Sequence, residues 1–200
     1  MEEKEEVKLF LLDWTQDSDE YERVTNQFLL TLPNAEILRV ERIQNKMIMR
    51  RYFHRSQLMK DFGTKGLREE LLFHGTSQIQ PELIYKGDEG FDMRFSADGM
   101  WGRGNYFAVN SAYSHNYAYN HNGVFKMFAA SVLTGNSFFS ASDPRLTKPP
   151  LLDSATNSSS TAIQRCYDSV HGNTGGTRVY ITYDNEHAYP AYLITYKCPS

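Results

Sequence analysis

The chain has 200 residues, of which 40% are hydrophobic and 14% aromatic, enough to bury one substantial core. Its 22% charged residues and net charge of −3 exclude wholesale disorder and give no global attraction to nucleic acid or a membrane surface. Two cysteines, Cys166 and Cys198, are too few for a disulfide scaffold and form no C-x-x-C pair, so they read as free thiols.

The N-terminus, Met1-Glu-Glu-Lys-Glu-Glu, is a charge run without the apolar stretch of a signal peptide. No apolar run approaches the ~20 residues of a membrane span. The expectation is an intracellular protein, cytoplasmic or nuclear, with no membrane contact. Asp17 to Glu22 carries cap-type and early acidic residues, and Val24, Phe28 and Leu29 follow at helical spacing. Leu32-Pro33-Asn34 stops that helix. Residues 36–45 read as a strand and Met47 to Met59 as a helix with Met47, Ile48, Tyr52, Phe53 and Leu58 apolar. Arg39, Arg42, Lys46, Arg50, Arg51, Arg55 and Lys60 fall in this stretch. They form either a solvated helix face or a nucleic-acid patch, and the acids elsewhere favour the first.

Strands then dominate. Glu70 to Thr76, Asn105 to Val109, Lys126 to Gly135, Val179 to Tyr183 and Tyr192 to Tyr196 read as strands. Ala188-Tyr-Pro-Ala reads as a turn between the last two, and 141–161 and 171–176 read as loops. Early helices and late strands make an α+β fold.

Three segments carry chemistry. His74-Gly75-Thr76 ends an apolar strand; a glycine there admits close backbone approach, and its neighbours can bond hydroxyls. Gly102-Arg-Gly-Asn-Tyr-Phe-Ala places Tyr106 just inside another strand. Asn110-Ser-Ala-Tyr-Ser-His-Asn-Tyr starts a short helix capped by Asn110 or Ser111, with Ser114 and Tyr117 three apart on one face. A hydroxyl beside a flat aromatic face suits a planar carboxamide ring. Alone, each segment has a structural reading: a strand-end histidine, a hairpin turn, a tyrosine-rich packing helix.

Together they resemble the catalytic domain of the poly(ADP-ribose) polymerase (PARP) family, in its mono-ADP-ribosylating branch. The resemblance runs from about Tyr21 to Lys197 and includes Arg42-Ile-Gln-Asn, Tyr167-Asp-Ser-Val and Tyr183-Asp-Asn…Ala188-Tyr-Pro-Ala-Tyr-Leu-Ile-Thr. It implies an ADP-ribosyltransferase fold: a mostly antiparallel split sheet with flanking helices and an NAD-binding cleft. The catalytic domain would occupy 16–200, after an acidic segment at 1–15. The expectation is that no helical regulatory domain precedes it, as the resemblance to the mono-transferase branch implies.

The resemblance also implies roles. The substrate would be NAD, with no metal, and the product one ADP-ribose on an acceptor with nicotinamide released. Gly75 would pair with the nicotinamide carboxamide through its backbone, and Ser114 would donate to the carboxamide oxygen. Tyr117 would stack on the ring, and Tyr106 would close the opposite side. His74 would bond a hydroxyl of the adenosine ribose, assisted by Thr76. The segment from Asp88 to Trp101 would fold over the donor, with Phe91 or Phe95 against it. His74, Tyr117 and Val179 occupy the catalytic positions, the third of which is Glu in chain-elongating members. Valine has no ionisable group to polarise a second sugar hydroxyl, so single transfer is expected. Asp184 and Glu186 follow closely but read as part of a solvated loop. His115 and His121 fit no zinc spacing. The acceptor would be a protein, the chain itself included, with nucleic acid a lesser alternative. Two rivals stay open: an inactive module that binds NAD or ADP-ribose, and a nucleic-acid-binding module using residues 39–60.

Overall fold

A computed structural model describes residues 7–62, 67–152 and 165–199. The acidic residues 1–6 and much of the expected 141–161 loop lie outside the described residues. In chain order the elements are β1 (Lys8–Leu11), α1 (Ser18–Leu29), β2 (Glu36–Gln44), α2 (Lys46–Asp61), β3 (Glu69–His74), α3 (Pro81–Tyr85), β4 (Asp98–Gly99), β5 (Gly102–Arg103), β6 (Asn105–Ala108), α4 (Ser111–His115), β7 (Tyr119–His121), β8 (Val124–Leu133), β9 (Ser137–Phe139), β10 (Ser169–Thr174), β11 (Thr177–Thr182) and β12 (Ala188–Lys197). The expected α+β class holds. β1 lies in a stretch to which the sequence assigns no element.

Ten strands form one sheet in the order β1-β2-β12-β8-β3-β6-β11-β10-β9, with β7 beside β8. Every pairing in it is antiparallel except β9 with β10. The sheet is split at its centre. β3 and β6 pair only at Phe73 and Ala108, whereas β3 runs beside β8 for its whole length. Beyond that one pair the two strands part, and the candidate site lies in the opening.

Two expected connections are strands. Residues 188–191 do not turn: Ala188, Tyr189, Pro190 and Ala191 are buried and begin β12. The register against β8 shifts between Tyr189 and Tyr192, and this irregularity accommodates a proline that has no N–H for the ladder. The turn falls earlier, in a single 3-10 turn at Asn185–His187 capped by the Asp184 carboxylate. Residues 171–174 also belong to a strand, β10, and the hairpin turn is Gly175-Gly176, with φ of 56° and 74°. Two consecutive left-handed residues match a two-residue hairpin loop, which explains the glycine pair. Gly172 sits mid-strand because the indole of Trp101 fills its side-chain space: a Cβ there would stand 2.0 Å from that ring.

α1 and α2 cover one side of β2 and β12, burying Val24, Phe28, Ile48, Tyr52 and Met59 with Ile194 and Tyr196. The stripe on α2 is narrower than expected: Ile48, Tyr52, Ser56 and Met59 are buried, while Met47 and Phe53 face outward. Four of the arginines in the basic stretch, Arg39, Arg42, Arg51 and Arg55, are ion-paired with Glu41, Glu20, Glu89 and Asp184.

Asn45 joins β2, α2 and α3. Its Oδ1 accepts from the N–H of Met47 and Ile48, capping α2, while its Nδ2 donates to the carbonyls of Tyr85 and Gly87 at 3.1 and 2.9 Å. Replacing Asn45 with Ala removes a cap and strands two carbonyls in a buried setting, a loss of about 2–3 kcal/mol. Denaturant unfolding of Asn45→Ala will show the midpoint falling at unchanged slope; an unchanged midpoint would show that water replaces the carboxamide.

Candidate active site

The parting of β3 and β6 opens a cavity of about 470 Å³. One wall comes from the end of β3 and the turn after it: His74, Gly75 and Thr76. The facing wall comes from β6 and β11: Tyr106, Ala108 and Val179. α4 and the turn after it supply Tyr113, Ser114 and Tyr117, and the segment from Phe91 to Trp101 supplies much of the remaining lining. All of His74, Gly75, Thr76, Tyr106, Ser114, Tyr117 and Val179 therefore border one space, although they lie up to 105 positions apart.

His74 bridges the gap where strand pairing stops. Its Nδ1 lies 2.8 Å from the carbonyl oxygen of Tyr106. A carbonyl only accepts, so Nδ1 carries the proton and donates. Burial pushes the imidazole pKa below its ordinary value, so the ring is neutral near pH 7. Nε2 is then an acceptor, suited to a ligand hydroxyl. Phe91 backs the imidazole edge-on with ring centroids 4.9 Å apart, and Phe107 packs at 5.4 Å. Phe91 is thus a buried support for His74, whereas Phe95 is 63% exposed at the cavity rim.

Gly75 is glycine for a reason beyond ligand access. A Cβ there would lie 2.4 Å from the backbone oxygen of Ser114 and 2.5 Å from the carbonyl carbon of Tyr117. The absence of a side chain lets the β3 turn pack directly on the end of α4. That contact sets where Ser114 and Tyr117 stand relative to His74. The buried Ser114 hydroxyl donates to the Phe73 carbonyl at 2.9 Å. Its proton is already placed, so donation to a ligand requires the hydroxyl to rotate away from Phe73. Tyr117 lies two residues past α4, held by its N–H to the Ser114 carbonyl at 3.0 Å, and is half exposed. Thr76 donates its hydroxyl to the Ile79 carbonyl at 2.9 Å, closing the local turn.

Tyr106 is a hub. Its hydroxyl accepts from the Trp101 N–H at 2.9 Å and donates to the Gly102 carbonyl at 2.6 Å. Tyr183 donates to the Trp101 carbonyl at 2.7 Å, and the Trp101 indole N–H donates to Ser140. Upstream, Asn105 donates to the Phe91 carbonyl at 2.7 Å and accepts from Ser96 at 3.0 Å. Asn185 accepts from the Met93 N–H and donates to Glu89, which also pairs with Arg51 at 2.7 Å. The expected donor-covering segment is thereby pinned at both ends. Trp101, Asn105, Tyr183 and Asn185 support the site through side-chain and backbone bonds that only the folded chain brings together.

Val179 is buried on β11 opposite Ala108. Asp184 and Glu186 do not border the cavity, and Asp184 is engaged with His187 and with the 3-10 turn. His115 bonds the Tyr196 hydroxyl, and His121 sits exposed on β7.

With this geometry in place, comparison with known proteins is decisive. Residues 18–198 match the model of the poly(ADP-ribose) polymerase catalytic domain. The chain belongs to this family. It is 36% identical over 199 residues to a probable poly [ADP-ribose] polymerase of Dictyostelium discoideum, covering 96% of this chain and 54% of that protein. It is 32% identical over 186 residues to protein mono-ADP-ribosyltransferase PARP12 of Homo sapiens, covering 92% of this chain and 25% of that protein. Protein mono-ADP-ribosyltransferase PARP14 of Homo sapiens is 30% identical over 183 residues, covering 89% of this chain and 10% of that protein. The chain thus spans from about a tenth to about half of these curated relatives. As a PARP catalytic domain it carries the expected fold, with the cleft at the split of the sheet. Among the described residues, no helix is long and apolar enough to cross a membrane.

Burial lowers the pKa of three histidines, His74, His115 and His171, below the ordinary value of 6.5. The unfolded chain then binds protons that the folded PARP domain does not, so stability rises with pH in that window and is lost on acidification below about 6.5. Thermal melts between pH 7 and about 5.5 will show a falling midpoint, with a shallower slope in His74→Gln; a flat profile would show that the three rings accept protons in place.

Proposed function

We propose that this chain is an NAD-dependent mono-ADP-ribosyltransferase, which moves one ADP-ribose to an acceptor and releases nicotinamide. The observation that carries this reading is the convergence of His74, Gly75, Ser114, Tyr117 and Tyr106 on one cavity with Val179 in its wall. The donor set suits the dinucleotide. Tyr117 offers a half-exposed aromatic face to a planar ring, Gly75 a backbone edge to an amide, and His74 a neutral acceptor to a sugar hydroxyl.

The roles follow from those groups. Gly75 and Ser114 hold the carboxamide, and Tyr117 and Tyr106 flank the ring. His74 holds the adenosine ribose, with Thr76 beside it. NAD supplies the glycosidic bond that breaks, leaving positive charge on the ribose, as in glycoside cleavage. The protein stabilises that state by gripping the departing amide and fixing the sugar relative to it. Tyr106 and Trp101, tied together, keep the wall rigid.

The named relatives include both a probable poly [ADP-ribose] polymerase and mono-ADP-ribosyltransferases. Val179 supports the mono-transferase reading for this chain. With no acid at that position, a sugar hydroxyl arriving as acceptor has no base, so the chain stops at one unit. The acceptor then brings its own nucleophile, such as a carboxylate on a protein, this one included. The half-buried free thiols Cys166 and Cys198 suit a reducing intracellular compartment, cytoplasmic or nuclear.

A second reading, a module that binds NAD without turning it over, draws on the same Val179 and on the Ser114 proton already given to Phe73. A nucleic-acid surface on residues 39–60 is disfavoured by the four ion-paired arginines there. Incubation with labelled NAD separates these. A discrete labelled protein band with free nicotinamide, both reduced at least about tenfold in His74→Ala and Tyr117→Ala, is expected from loss of hydrogen-bond and stacking energy. A high-mass smear would refute the argument from Val179. NAD binding without label or nicotinamide would establish the binding module.

A further inference from the structure

Val179 offers the cavity no hydrogen-bonding group, but a different side chain that borders the same cavity does. Tyr113, on α4, lines the cavity and packs in the same cluster as Val179, Ala108 and Trp101. Its ring centroid lies 5.6 Å from that of Tyr117, at 51° to it. The β10–β11 turn holds it there: a Cβ on Gly175 would stand 2.7 Å from Tyr113 Cδ2, so the glycine backbone closes against the ring edge. The phenol keeps its proton. Burial, then the Tyr117 hydroxyl, push its pKa up to about 12, although Thr174 pulls the other way. It is therefore a neutral hydroxyl beside those of Tyr117 and Thr174, and donation to a ligand requires it to turn from them.

The position matters on the NAD reading above, on which this inference rests. If the nicotinamide stacks on Tyr117, the sugar joined to its ring nitrogen lies within one sugar's width of that face. Tyr113 and Val179 form the wall there. The 2′-hydroxyl of that sugar is adjacent to the bond that breaks and so lies nearest the ring. We infer that Tyr113 is a substrate-contacting residue whose hydroxyl donates a hydrogen bond to the 2′-oxygen of the nicotinamide-bearing ribose. It supplies a hydrogen bond that the Val179 side chain cannot make. It does not fill an electrostatic role: a neutral phenol carries no charge to offset a ribose cation or to activate a second sugar.

The test uses the whole 200-residue chain, wild type and Tyr113→Phe, with NAD and with the NAD analogue lacking the 2′-hydroxyl on the nicotinamide ribose. Phenylalanine keeps the ring's packing against Gly175 and Tyr117, so melting temperature is expected to hold. Loss of one neutral hydrogen bond weakens NAD binding about three- to tenfold in Tyr113→Phe. Wild type is expected to lose a similar factor on going from NAD to the analogue, and the variant to lose little more. Equal affinity of wild type for the two donors overturns the proposal, whatever the stability of the variant. So do two losses that multiply, because independent losses mean no contact between the groups. In either case NAD binding itself persists, and the NAD reading stands. Wild type that neither binds NAD nor releases nicotinamide removes that reading, and this inference with it.

Discussion

The site depends on one interruption in a hydrogen-bond ladder. β3 and β6 meet at Phe73 and Ala108 and then part. Past that point the Tyr106 carbonyl finds its partner in the side chain of His74. A buried carbonyl without a partner is costly, so the imidazole stabilises the split while the split places the imidazole on the cavity wall. The same bond fixes the tautomer and turns Nε2 into an acceptor. Structure and chemistry at this position are one interaction, and the edge-on packing of Phe91 keeps it aligned.

From that opening the rest of the cavity follows by contact. Gly75 lies so close to Ser114 and Tyr117 that no side chain fits between them. The end of β3 and the end of α4 are therefore locked in register, and the groups assigned to the amide and to the ring move together. The covering segment is held differently, by side chains reaching its backbone from Asn105, Tyr106, Tyr183 and Asn185. Each bond is modest, but they act at separate points, so the segment keeps one path over the cavity. A preorganised wall of this kind suits chemistry that depends on orientation and on gripping a leaving group.

Much of this was legible in the residues. Periodicity placed α1, α2 and most long strands, and the three segments around His74, Tyr106 and Ser114-x-x-Tyr117 marked the site. The misreadings share a cause. Residues 188–191 look like a turn because Pro190 breaks a ladder, yet they are buried, and a register shift absorbs the proline. Gly172 looks like loop material, yet it is a strand residue facing Trp101. In both cases a packing partner from elsewhere in the chain overrode the local signal.

The sequence by itself determined the family, the order of the elements and the residue types that border the cavity. It also placed a valine at 179, a residue without an ionisable group, since these are matters of pattern and side-chain chemistry. The tertiary structure alone decided which groups face one another. It showed that His74 donates to Tyr106, that the Ser114 proton rests on Phe73, and that Tyr113 borders the same cavity as Val179. Those facts depend on contacts between residues tens of positions apart, and no local propensity encodes a distance across a split sheet.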